Sequence, residues 1–223
     1  MLSWFKKKKN TETKAAAEAP SSVVNAAAKA LKEQGDAFLD TAQWQEAAQC
    51  YEQALAQEPQ FAAVRSNLGF ALMQLHRYTD ASAQLELALT LDAGLFNAHY
   101  LLATIARRQA HIADAVRHVE TAIAIRPSFA EAYSLLGDLR LELEDRDGAS
   151  AAYLRALELD PGAASALSNL GGICEHRGER RKALAYYRQA LALEPHNQGM
   201  RLNLLHQQFQ LADWAGVENE IAL

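Results

Sequence analysis

Three asparagines, Asn67, Asn169 and Asn203, are separated by whole multiples of 34 residues. A side-chain amide donates and accepts at once, so a row of them can hold the backbone of an extended peptide without reading its side chains. The same chemistry serves a second purpose, because a polar group buried between packed helices must find a partner. Both readings stay open, and Glu33, Leu101 and Leu135 interrupt the row. Arg107 and Arg108 offer bidentate pairing with a carboxylate or phosphate, against the ordinary reading of a solvated pair near a helix end. The seven histidines, His76, His99, His111, His118, His176, His196 and His206, form neither H-E-x-x-H nor a two-histidine-plus-carboxylate set on one helix face, so no metal site is expected. Cys50 and Cys174 lack metal-like spacing and read as buried, inert thiols in a reducing compartment. No nucleophile–base pair, glycine-rich phosphate loop or nucleophile elbow is visible, so no catalytic residue and no cofactor is assigned.

One period organises the elements that must position these residues. Pro59, Pro127, Pro161 and Pro195 fall on a 34-residue grid, with Ala93 at the remaining point. A small residue recurs on the same grid at Gly35, Gly69, Ala103, Gly137 and Gly171. Two alanine columns follow: Ala47, Ala81, Ala115, Ala149 and Ala183, then Ala54, Ala88, Ala122, Ala156 and Ala190. Seven residues is about two helical turns, so both columns lie on one face of a helix. Glycine costs roughly 1 kcal/mol against alanine inside a helix, so its recurrence implies close approach of a second helix. Leu68 with Leu72, and Leu136 with Leu139, fill the space around such crossings. Proline then ends each second helix. Each unit is read as helix, short turn, helix, stop, with helicity from about Asn25 onward.

These residues resemble the tetratricopeptide repeat, through Asn67-Leu68-Gly69 with Tyr78, Ala81 and Ala88, and through Ser168-Asn169-Leu170-Gly171 with Ala183, Tyr187, Ala190 and Pro195. Five complete units span 28–61, 62–95, 96–129, 130–163 and 164–197. The phase continues as a partial sixth over 198–223, with Trp214 in the slot of Trp44 and Tyr78, Val217 in the first alanine column and Ile221 in the slot of Tyr187. His99 stands where the family usually has an aromatic residue, and Leu205 where it has the glycine. The resemblance implies an all-α solenoid, a right-handed superhelix whose concave face is lined by first helices. By phase, that face is expected to carry Asn67, Phe70 and Gln74; Asn97, Tyr100, Thr104, Arg107 and Arg108; Ser134 and Asp138; Ser168 and Asn169; and Asn203 and His206. The complete carboxylate-clamp set of chaperone-binding members is not found.

A peptide or protein partner in the concave groove is the expected ligand, making the chain a non-catalytic scaffold. As an alternative, the asparagine row and the segment from Leu202 to Trp214 are similar to the repeat arm of SPINDLY-like O-linked N-acetylglucosamine transferases, with a catalytic domain expected after Leu223. The formal charge of −5 excludes the basic excess of a nucleic-acid binder. That charge is uneven: in residues 1–27 five lysines oppose two glutamates, a balance of +3 that leaves −8 for the remainder. Met1-Leu2-Ser3-Trp4-Phe5 followed by Lys6 to Lys9 could touch an anionic membrane surface, each nearby lysine adding roughly 1 kcal/mol. So short an apolar stretch reads better as a disordered, solubilising tail. No secretory signal is read there, and the expected location is cytoplasmic.

Overall fold

The computed structural model describes residues 25–211. The tail up to residue 24 and Trp214, Val217, Ile221 and Leu223 of the sixth unit lie outside them. Eleven helices and no strand occur among the described residues. The first helices of the hairpins are α1 (Ala26–Asp40), α3 (Ala62–Gln74), α5 (Phe96–Arg108), α7 (Ala130–Glu142) and α9 (Ala164–His176). Their second helices are α2 (Trp44–Gln57), α4 (Tyr78–Leu91), α6 (Ile112–Ile125), α8 (Arg146–Leu159) and α10 (Arg180–Leu193). A further first helix, α11 (Gln198–Gln210), opens the sixth repeat.

Two compact units divide the chain between His111 and Ile112. In the first, α1 pairs with α2 and α3 with α4, while α2 packs on α3 and α4 on α5. In the second, α7 pairs with α8 and α9 with α10, while α6 packs on α7, α8 on α9 and α10 on α11. Both alanine columns are fully buried, with every member at 0% exposure. The glycines sit at the crossings as their spacing requires. A Cβ at Gly35, Gly137 or Gly171 would lie 2.5 to 2.6 Å from the ring of Tyr51, Tyr153 or Tyr187, and one at Gly69 would lie 2.6 Å from Leu85. At the third unit, where alanine replaces glycine, the ring register holds the shorter Val119.

Each proline follows its second helix by two residues, at Pro59, Pro127, Pro161 and Pro195. At Ala93 the helix still stops, because the Asp92 carboxylate accepts from the Gly94 amide at 2.8 Å and folds the chain into a tight turn. Inside each hairpin the chain reverses on a residue with positive φ: Ala42, His76, Ala110, Glu144 and Gly178. The next amide reaches back to the helix, as in Arg77 to the Leu72 carbonyl at 2.9 Å and Asp145 to the Arg140 carbonyl at 2.8 Å. This is the Schellman end, usually built on glycine. Here only Gly178 is one.

Candidate partner-binding face

The asparagine row resolves into joints between hairpins. The Asn67 amide donates to Asp36 Oδ1 at 2.9 Å, and the Tyr51 hydroxyl donates to the same oxygen at 2.7 Å. Three repeats later the set recurs: Tyr153 donates to Asp138 at 2.6 Å, and the Asn169 amide donates to Asp138 at 3.1 Å and to the Tyr153 oxygen at 2.9 Å. Each set ties a first helix to the hairpin before it. Burial, together with the Asp36 carboxylate, pushes the Tyr51 phenol far above its usual range. Burial likewise raises Tyr187, whose hydroxyl donates to Glu175 at 3.0 Å.

The interruptions in the row now have a cause. Between the second and third hairpins the three positions are Phe70, Leu85 and Leu101, which are 1%, 0% and 2% exposed. Between the third and fourth they are Thr104, Val119 and Leu135 in the sequence. Asparagine stands at 67 and 169 where an aspartate and a tyrosine stand 31 and 16 residues before it, and leucine stands where they do not. At the last joint Gly172 replaces the aspartate, and Asn203 is exposed.

Several residues expected on a ligand-facing surface are therefore placed elsewhere. Asn67 is only 4% exposed, with its amide committed to Asp36. Asn97 is 8% exposed and donates to Ser66 Oγ at 2.9 Å. Phe70 is buried and meets Trp44 edge-on with ring centroids 5.9 Å apart. Asp138 and Asn169 are half-buried within their joint. In each case the need of a polar or aromatic group for a partner is met from the neighbouring hairpin.

The other candidates stay at least partly accessible. In the first unit Gln74, Tyr100, Thr104 and Arg107 are half-buried and Arg108 is exposed. Arg108 lies over the Tyr78 ring, 5.6 Å from its centroid, and the Thr104 hydroxyl donates to the Tyr100 carbonyl at 3.0 Å. In the second unit Ser134 and Ser168 are half-buried, while Asn203 and His206 are exposed. His206 Nε2 is 3.4 Å from Glu175 Oε1. Sequence reasoning did not mark a cleft of about 490 Å³ bounded by α2, α3 and α4. Leu55, Leu68 and Leu72 line it with Arg65 and Arg77. Arg65 is spent on the Pro59 carbonyl and Gln84, and Arg77 on Asp80. Both cysteines are buried, and burial pushes both thiols up, away from nucleophilic thiolate. Among the described residues no cluster of histidine, cysteine and acidic side chains could hold a metal ion.

Two family models match the chain: "TPR repeat" over residues 35–76 and "Tetratricopeptide repeat" over 100–144 and 134–198. No curated protein sequence matches it. Among solved structures, MamA is 25% identical with a TM-score of 0.63, over 74% of this chain and 96% of its own. The Pseudomonas aeruginosa protein pilF is 16% identical with a TM-score of 0.80, over 87% of this chain and 88% of its own. YrrB, described as a TPR protein with an unusual peptide-binding site, is 21% identical with a TM-score of 0.61, over 83% of this chain and 99% of its own. The likeness confirms an all-α tetratricopeptide-repeat architecture.

Proposed function

We propose that this array of tetratricopeptide repeats works as a protein-interaction scaffold that holds a peptide segment of a partner along its first helices. The observation that carries the reading is the division of labour among polar side chains. The joints consume Asp36, Tyr51 and Asn67, and Asp138, Tyr153 and Asn169, in fixed hydrogen bonds. Tyr100, Thr104, Arg107 and Arg108 are among the residues at least partly accessible on α5, an aromatic anchor beside cationic donors. Rigid anchors flanked by a few polar groups are what peptide grooves present. The guanidiniums suit a segment bearing carboxylates. YrrB, with its described peptide-binding site, supports the same reading by likeness of fold. The buried free thiols suit a reducing, cytoplasmic setting. No observation favours the glycosyltransferase-arm reading over the scaffold.

A displayed peptide library selected on the purified chain tests the proposal. Selected peptides should be enriched in acidic residues and should lose at least about tenfold in affinity, roughly 1.4 kcal/mol, on a Tyr100→Ala/Arg108→Ala chain whose circular dichroism is unchanged. Peptides that bind that variant as tightly as the parent would remove α5 from the site.

A further inference from the structure

Three joints carry tyrosine and asparagine at matching registers, and only two of them hold the carboxylate that both donors meet. Asp36 accepts from Tyr51 and Asn67, and Asp138 accepts from Tyr153 and Asn169. At the last joint Tyr187 and Asn203 repeat the pair, with Gly172 in the position of the aspartate. The helices still meet at this register, since His206 Nε2 on α11 lies 3.4 Å from Glu175 Oε1 on α9. Among the described residues outside α9, a Cβ built on Gly172 would meet only the Tyr187 hydroxyl within 4 Å, at 3.7 Å. The space of the missing side chain is therefore open, and it leads to the hydroxyl that an aspartate would reach.

The surface around this opening is exposed. The Asn203 side chain faces solvent and makes no hydrogen bond among the described residues. Leu202 is 66% exposed and Phe209 49%. Seven residues apart, they stand two turns from each other on one face of α11, and the exposed His206 lies on the same stretch.

We propose that this joint is completed from outside: an acidic side chain of a partner segment, flanked by apolar residues, takes the place that Asp36 and Asp138 hold in the other two. The inference deepens the scaffold reading and rests on it, because it takes the first helices as the ligand-facing surface. Asn203 supplies one donor. The Tyr187 hydroxyl, which now donates to Glu175 at 3.0 Å, can turn to a carboxylate over Gly172 and supply the second. Glu175 does not fill the role itself, because its oxygens meet Tyr187 and His206 and leave Asn203 unserved. A carboxylate suits the opening better than a backbone carbonyl, since a charge-assisted bond is roughly twice as strong as a neutral one. Glycine at 172 lets the ligand come close. Leu202 and Phe209 then offer apolar contact to the residues beside the acid.

Titration of the isotope-labelled full chain with two blocked tripeptides, acetyl-Leu-Asp-Leu-amide and its asparagine counterpart, tests this through the side-chain amide resonance of Asn203. A contact this small binds at about 1 mM, which such a titration resolves. The aspartate peptide should shift that resonance and bind at least about tenfold more tightly than the asparagine peptide. Gly172→Asp supplies the acceptor from within. It should move the Asn203 resonance with no peptide present and weaken the aspartate peptide at least about tenfold. Asn203→Leu, a change at an exposed position, should weaken it similarly, read on the backbone amides of α11. Equal binding of the two peptides, no shift with either, or an Asn203 resonance unmoved by Gly172→Asp overturns the proposal. The tripeptides make no use of Tyr100 or Arg108, so failure of the displayed library would leave this result standing. Tripeptide binding that Gly172→Asp does not weaken refutes the open joint and leaves the library result, read at Tyr100 and Arg108, untouched.

Discussion

Two joints in the first unit occupy the same register with opposite chemistry. Between the first and second hairpins Asp36 accepts from Tyr51 and Asn67, while one repeat later Phe70, Leu85 and Leu101 fill the same three positions with apolar surface. The backbone period is identical, so the contrast lies in the side chains alone. A polar joint must lose hydration before its bonds form, and its net contribution is modest when complete and negative when one member is missing. An apolar joint needs no partners but says less about which helix belongs beside which. The switch at all three positions together, and its return at Asp138, Tyr153 and Asn169, follows from the cost of a half-set. The last joint shows what happens without the carboxylate: Tyr187 turns to Glu175, and Asn203 faces solvent.

The largest expected effect breaks the polar joint at one point. Asn67→Leu removes a donor from Asp36 and should cost about 1–3 kcal/mol in urea unfolding. Replacing the whole set by its neighbour's, as Asp36→Phe/Tyr51→Leu/Asn67→Leu, should recover stability to within about 1 kcal/mol of the parent. The test is non-additivity: a triple variant that loses the sum of its single losses would mean that the three positions do not act as a unit. A comparable loss, about 1–3 kcal/mol, is expected where no alternative chemistry exists. Ala149→Leu puts a long side chain at a fully buried crossing, so an unchanged melting temperature would place that column elsewhere.

A smaller effect separates the two joints by pH. The Tyr51 phenol is raised in the folded chain, so the protonated form favours folding. That contribution is complete below the unfolded value of about 10 and is lost as pH climbs above it toward the folded value. Stability of the parent should therefore fall more steeply above about pH 10 than that of the triple variant, whose joint has nothing to ionise. Parallel alkaline profiles for the two would detach the phenol from the joint's energetics.

Period-based features were legible in the sequence because they are imposed by sterics at every repeat. Gly35, Gly137 and Gly171 must be small because a ring lies against each of them, and ten alanines at 0% exposure follow the same constraint. The site was less legible, for a physical reason. A helical period tells which positions share a flank, but not whether an amide there meets a ligand or a carboxylate on the preceding hairpin. Asn67 and Asn169 were candidates for both roles. The deciding signal, an aspartate 31 residues before and a tyrosine 16 residues before each of them, is present in the sequence but spreads over two repeats. Proline likewise marks only the ends of second helices, and Ala93 shows that the stop survives without it through Asp92.

The turns inside the hairpins extend the comparison of one register met by different residues, at the smallest energy. All five reverse on a positive φ, four of them on residues whose Cβ disfavours it. In the second unit the two cases sit one repeat apart: Glu144 at φ 59° and Gly178 at φ 73°. The bonds that follow are equivalent, Asp145 to the Arg140 carbonyl at 2.8 Å and Glu179 to the Cys174 carbonyl at 2.9 Å. Glycine enters this conformation without steric cost but loses more freedom on folding, and the first effect outweighs the second where φ is positive. Glu144 is exposed, so its replacement disturbs little else. Glu144→Gly should therefore raise stability by about 0.5–1 kcal/mol, and Gly178→Ala should lower it by a similar amount. Thermal unfolding of both variants and of the double variant checks the pair, with near cancellation expected in the double because the two turns are separate sites. A Glu144→Gly chain less stable than the parent would mean that the glutamate side chain, and not the backbone angle, holds that turn.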